Sequence, residues 1–415
     1  MTSDLAEEEA EAYVHGVCFK TGPPERIGVE TEWLVQDRRD SELPISLDRL
    51  SAALAPVEEA GALPGGSRIT REPGGQVELS SPPAPSPTVC VEAMAADLTA
   101  LREAVEGAGL ILVGQGLDPC REEPPRILGH PRYRAMEKYF DREGPSGRVM
   151  MRRTASVQIN LDSGDESGTV RGYRHRWELA HRIGPVLVAA FANSPIVDGR
   201  PSGWLSTRQA VWSRMDAGRT RQPQYHHDPR VAWTRYALDA KVMCIPGGDN
   251  GDWSAPPDLT FRDWLRGTPG LRRPAQADLE YHLSTLFPPV RPRGWLELRM
   301  TDAQTGDDWI VPTVLAATLL DDPAAADAAY AATEPLCQGT RPVPSDDVWQ
   351  RAARIGLADP DLAKAARACF AAADGALARP GASAALRQAL ADFAERYAER
   401  GRSPAHDRLD ALRCT

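Results

Sequence analysis

The chain has 415 residues, 42% of them hydrophobic, and a formal net charge of -10. That is ample material for a large core, and it is too acidic for the basic footprint of a nucleic-acid or anionic-membrane binder, so a small-molecule substrate fits better. Seven scattered cysteines (Cys18, Cys90, Cys120, Cys244, Cys337, Cys369, Cys414) form no CxxC pair and read as reduced thiols, not as a zinc cage or disulfide framework. The residues Met1 to Tyr13 are acidic, and no apolar run reaches about 18 residues, which points to a soluble, cytoplasmic protein.

In chain order, Ile27 to Val35 alternates as a strand does, with Ile27, Val29, Thr31, Trp33 and Val35 on one side and Gly28, Glu30 and Glu32 on the other. The run Arg71-Glu72-Pro73-Gly74-Gly75 predicts a turn. It leads into Gln76 to Ser80, where Val77 and Leu79 oppose Gln76, Glu78 and Ser80. Ser80 to Pro87 is loop-like, and helical spacing follows over Val89 to Gly107 and Pro131 to Asp141. After the basic pair Arg152-Arg153, the strand Ser156 to Asp162 sets Val157, Ile159 and Leu161 against Ser156, Gln158, Asn160 and Asp162.

Further helices are predicted over Val170 to Asn193, Asp278 to Leu286 and Ile310 to Leu320, with a loop at Gly247 to Pro257. Between the last two helices, Trp295 to Met300 places Glu297 and Arg299 with Trp295 on one face. From Pro323 onward the chain is alanine-rich, and Ala363 to Ala378 and Ala384 to Glu399 suit helices on propensity. Without repeats or a long linker, residues 1–415 read as one mixed catalytic domain, within which 309–415 form a helical C-terminal subdomain.

Any single strand of this kind is ordinary, because antiparallel strands often have one wet face. Four such faces offering Glu30, Glu32, Glu78 and Glu297, with Glu72 at a turn and Gln158, Asn160 and Arg299 beside them, are harder to explain by solvation. Carboxylates converging on one sheet repel unless cations neutralise them, and oxygen-only ligation is what magnesium prefers. Magnesium held by carboxylates suits phosphoryl transfer from ATP. No GxxxxGK[ST] loop and no GxGxxG after a strand is present, so the nucleotide is held by other means. Arg299, Arg153 and the Arg208 to Thr220 segment are the candidates to meet phosphate or carboxylate oxygens, whereas Arg214 and Arg230 read as solvated loop residues.

Seven segments in order, GVETE (Gly28 to Glu32), REPGGQVELS (Arg71 to Ser80), MRRTASVQINLD (Met151 to Asp162), FANSP (Phe191 to Pro195), YALD (Tyr236 to Asp239), HLSTLFPPVR (His282 to Arg291) and LELR (Leu296 to Arg299), carry a resemblance. As a set they resemble the glutamate–cysteine ligases of the plant and actinobacterial type, within the carboxylate–amine ligase group related to glutamine synthetase. The resemblance implies an α+β fold, a curved antiparallel β-sheet funnel with helices on its outer face. It implies ATP and Mg2+, with glutamate and cysteine as the other small-molecule substrates, no nucleic-acid or membrane partner, and a product serving ergothioneine biosynthesis.

By motif, Glu30, Glu32, Glu78 and Glu297 resemble metal ligands. Glu72 joins that set, and Gln158 stands where distant relatives place histidine. Arg299 resembles the arginine that meets the phosphate. Arg153, Thr154 and Asn160 resemble substrate-side residues, and Arg208, Trp212, Asp216, Arg219 and Thr220 align with an active-site loop. A related ligase with another amine acceptor, or a non-catalytic binding protein of the same fold, are the alternatives. The second would be expected to break the carboxylate set.

Overall fold

The alternating segments pair with one another. In the computed structural model, which describes residues 4–59, 61–121, 124–248, 251–337, 339, 341–379 and 382–414, the strands are β1 (Ile27–Asp37), β2 (Arg68–Arg71), β3 (Val77–Ser80), β4 (Leu110–Val113) and β5 (Ser156–Asp162). They are followed by the short pair β6 (Ile196–Val197) and β7 (Arg200–Pro201), then β8 (Val290–Pro292) and β9 (Trp295–Asp302). The main sheet runs β2-β3-β1-β5-β9-β8, with β4 pairing the Leu34 to Asp37 end of β1, and all neighbours are antiparallel. It does not close, so β2 and β8 remain its edges.

Alternation does the sorting predicted for it. Val29, Trp33, Val35, Val77, Leu79, Val157, Ile159, Leu161, Leu296, Leu298 and Met300 are buried in one core. The helices Pro87–Gly107, Tyr173–Ala190 and Ile310–Asp321 pack on the sheet. The polar side chains are left for the opposite face, where the site lies.

Helix ends moved by a few residues from their predicted positions, for local reasons. The first of these helices begins at Pro87 because Ser86 Oγ accepts from the Val89 N–H (3.3 Å) and proline suits the first helical position. The Val170 to Asn193 expectation contracts to Tyr173–Ala190 behind Gly172. The helices expected over Asp278 to Leu286, Ala363 to Ala378 and Ala384 to Glu399 run Gln276–Leu283, Pro360–Leu377 and Ala384–Arg396. The expected loop at Gly247 to Pro257 contains Asp249 and Asn250, which lie outside the described residues.

Helix Tyr173–Ala190 ties the C-terminal helices to the sheet. Its buried Arg176 donates to the Leu320 carbonyl (2.6 Å) and pairs with Asp321 (2.8 Å). Its buried Arg182 pairs with Glu334 (2.5 Å) and donates to the Tyr330 and Pro342 carbonyls. A buried guanidinium without such partners would be strongly destabilising. Gly184 is required by a close approach, since a Cβ there would sit 2.1 Å from the Trp349 ring.

Two buried histidines make stability pH-dependent. Burial pushes the His181 imidazole down to about 4 and that of His282 to about 3. The unfolded chain takes up these protons below about pH 6.5, and the folded chain does not until far lower, so each neutral imidazole costs about 1.4 kcal/mol of stability per pH unit between 6.5 and 4. His282 bonds the Ala237 carbonyl through Nε2 (2.8 Å), a contact a glutamine amide can keep. His282→Gln is therefore expected to lose a measurable part of the histidine-driven drop in urea midpoint between pH 7.5 and pH 5, the rest coming from His181 and from His175 and His406, which burial also lowers. An identical drop in variant and parent would remove His282 from this role.

Candidate active site

Strand register assembles the site. It sets Glu32 opposite Glu78, Glu30 opposite Gln158, Asn160 opposite Glu297, and Glu297 opposite Arg291. Glu72 is delivered by the turn before β3, where the Gly75 N–H donates to its carbonyl (2.9 Å) and its own N–H donates to the Gln76 carbonyl (2.8 Å). Both glycines of that turn are needed. Gly75 has φ +91°, and a Cβ on Gly74 would lie 2.1 Å from the Arg152 carbonyl oxygen.

A cavity of about 570 Å³ opens over this face. Glu30, Glu32, Glu72, Glu78 and Gln158 line it together with Arg68, Arg132, Arg208, Arg291, Arg293 and Arg299, and Tyr133, Trp212, Tyr281 and Phe287 supply aromatic wall. Acid and base are segregated in their partners. Among the described residues, none of the four lining glutamates is ion-paired, whereas Glu297, fully buried behind the wall, is held by Arg291 (2.5 Å), Arg299 (3.0 Å) and Arg293 (3.5 Å).

The titration directions follow. Burial, then the charges of Glu297 and Glu78, push Glu30 up to about 7. Burial and neighbouring carboxylates raise Glu78, and they raise Glu72 well above the usual range. Glu32 is raised by burial against the pull of Arg208 and Arg299, although Ser156 N–H (2.7 Å), Ser156 Oγ (3.0 Å) and the Gln158 amide (3.0 Å) all donate to it. Burial alone would raise Glu297 too, but Arg291 and Arg299 hold it far below the ordinary carboxylate range.

Residues 26–413 match glutamate-cysteine ligase family 2 (GCS2). The chain belongs to that family. It is 42% identical over 410 residues to the glutamate–cysteine ligase EgtA of Mycobacterium tuberculosis (strain ATCC 25618 / H37Rv), covering 97% of this chain and 90% of that protein. It is 31% identical over 349 residues to the chloroplastic glutamate–cysteine ligase of Arabidopsis thaliana, covering 77% and 64%. The crystal structure of a Francisella tularensis glutamate–cysteine ligase in complex with AMP shares the fold, with a TM-score of 0.56 at 13% identity, covering 95% of this chain and 86% of that one.

Within this family-2 ligase fold, the predicted residues divide. Glu30, Glu32, Glu72, Glu78, Gln158, Thr154, Arg208, Trp212 and Arg299 all line the cavity. Glu297 does not. Gln158 lines it with its amide already committed, its carbonyl accepting from Arg299 and its NH2 donating to Glu32. Both were expected as metal ligands, and in the structure their oxygens accept from arginines that β8 and β9 bring within reach. Asn160 orients Glu30, donating to its Oε1 (3.0 Å).

Arg153 was expected in catalysis, yet its guanidinium turns away from the cavity to the Asp118 carbonyl (2.9 Å) and Asp198 (2.8 Å). Arg219, expected to bind substrate, is buried in bonds to the Thr285 carbonyl and hydroxyl and to the Lys241 carbonyl, beside Asp216 (3.4 Å). Thr220 donates to the Asp216 carbonyl (3.0 Å) and lines a separate small pocket behind Trp212.

Arg132 and Arg293 escaped the sequence reading. Arg132 donates to Ser284 Oγ (3.1 Å) and lies over the Tyr281 ring (5.1 Å), partners so distant in sequence that no local pattern marks it. Arg293 stands in a stretch too short for alternation to assign a face.

Proposed function

We propose that the chain joins the γ-carboxylate of L-glutamate to the amine of L-cysteine, with ATP converted to ADP and phosphate. The observation that carries this reading is one cavity in which unpaired, desolvated carboxylates face a wall of arginines, within a family whose named members are glutamate–cysteine ligases. The product would serve ergothioneine biosynthesis, as the resemblance implies.

The glutamates suit a divalent cation by their chemistry. They are all-oxygen donors packed closely enough to raise one another's protonation, with no cation paired to them among the described residues. Among the described residues, no three His, Cys, Asp or Glu side chains come together as a group that could hold a metal ion by themselves, so substrate phosphates and water would have to complete the shell of a bound magnesium. Glu30, Glu32, Glu72 and Glu78 would hold Mg2+, which when bound neutralises phosphate charge.

The remaining work falls to the protein's own groups. A glutamate side-chain oxygen forms a bond to the γ-phosphorus as the bond to the β-phosphate oxygen breaks, releasing ADP. The cysteine nitrogen, as the free amine, then bonds to the acyl carbon, the carbon–oxygen bond to phosphate breaks, and the nitrogen passes its extra proton to the departing phosphate. Arg299 stabilises charge on the transferring group. Arg208 lines the cavity 3.8 Å from Asp302 and would meet an anionic substrate group there. Arg132 offers a second cation across the cavity.

Incubation with ATP, magnesium, glutamate and cysteine should yield one γ-glutamylcysteine per ADP by mass spectrometry. ADP release with another amine but not with cysteine would reassign the acceptor. Accumulation of a stable phosphorylated product without an amide would overturn ligation altogether.

A further inference from the structure

A site for a nucleoside triphosphate needs a seat for the base as well as for the phosphates, and Arg299 and the glutamates account only for the latter. Strand β9 continues past them. Trp295, Glu297 and Arg299 alternate onto the same face, and Trp295 lies at the outer end, four residues or about 13 Å along the strand from Arg299. An extended nucleoside triphosphate covers such a span. The β5–β9 register carries the same face outward, with Asp162 opposite Trp295 as Asn160 is opposite Glu297.

Trp295 is 38% exposed, and its ring is nonetheless fixed. The indole Nε1–H donates to Asn160 Oδ1 (3.0 Å), and the Asn160 NH2 donates in turn to Glu30 Oε1 (3.0 Å). Arg293, which lines the cavity, places its guanidinium 5.6 Å from the indole centroid and 3.5 Å from Glu297 Oε1. Two short chains of contacts therefore run from this exposed indole to the carboxylates, one through Asn160 and one through Arg293. A scattered surface tryptophan needs no explanation. Trp295 stands outside the residues that line the cavity, anchored by its polar edge and beside Arg293, which does line it, and its exposed ring leaves a π-face for stacking.

We propose that Trp295 is the platform on which the purine ring of the nucleotide stacks, with Arg293 bridging from the ring toward the phosphates. The inference rests on the ATP-dependent reading above and adds the base-binding residue to it. Aromatic stacking tolerates any flat base, so phenylalanine and tyrosine should substitute and alanine should not.

The test is calorimetric ATP binding with magnesium, together with steady-state kinetics, on wild type, Trp295→Ala and Trp295→Phe. Trp295→Ala is expected to weaken ATP binding and raise KM for ATP about tenfold, with kcat changed less than threefold and KM for glutamate and cysteine unchanged. Trp295→Phe should recover most of the loss. Inorganic tripolyphosphate, which has no base, should bind wild type and Trp295→Ala alike. ATP binding by Trp295→Ala within twofold of wild type overturns the assignment, as does an equal loss for tripolyphosphate. Absence of turnover by a wild type that binds ATP would count against the ligase reading alone, because the binding comparison stands without turnover.

Discussion

Arg299→Lys is expected to lower kcat for cysteine-dependent ADP release by about a thousandfold, with the melting temperature little changed. Arg299 is half-buried between the two groups of carboxylates, and its Nη1 already donates to Gln158 and to Glu297 (3.0 Å). Nη1 is thus committed to the protein, while Arg299 lines the cavity, where an incoming oxygen would meet the rest of the guanidinium. A lysine ammonium is a point charge that cannot hold the Gln158–Glu297 edge and present a second, coplanar donor. Glu297 would still be paired by Arg291, so the fold should survive the change. A lysine variant within tenfold of wild type would remove Arg299 from contact with the transferring phosphoryl group.

Glu78→Gln is expected to move activity and stability in opposite directions. Glu78 faces Glu32 across the β1–β3 register, and burial followed by the Glu32 charge raises its pKa. A carboxyl whose folded pKa exceeds its unfolded value of about 4.3 destabilises the folded state at neutral pH, and that cost fades as pH falls toward the unfolded value. The amide keeps the acceptor for the Thr70 hydroxyl (2.7 Å) and removes the charge. Without magnesium, the variant should melt about 2 °C above wild type at pH 7.5 and level with it near pH 4. With magnesium and ATP the order should reverse, since wild type gains a ligand-dependent rise that the variant loses, and kcat should fall at least a hundredfold. A magnesium-dependent rise of equal size in both proteins would place the cation elsewhere.

The strands were legible because alternation is a local property. Val77 and Leu79 sink into the core and Glu78 does not, whichever strands lie alongside. Glu72 was legible through its turn, since Pro73-Gly74-Gly75 allows few backbone courses. The roles of the arginines were not legible in the same way. A long guanidinium side chain reaches across elements, so Arg153 beside Asp198, Arg219 beneath Thr285 and Arg132 beside Ser284 are set by partners that only the assembled fold brings near.

The amino-acid order by itself determined the polar face of each strand, the absence of a phosphate-binding glycine loop, and the family whose motifs it carries in sequence. Those are properties of neighbouring residues, and backbone geometry repeats over short distances. Only the tertiary structure decided which carboxylates stay unpaired and which is claimed by arginine. That is why Glu30, Glu32, Glu72 and Glu78 face the cavity while Glu297 is sealed behind it. The charge state of a buried group depends on everything within a few ångströms of it, and most of what surrounds these glutamates comes from distant parts of the chain.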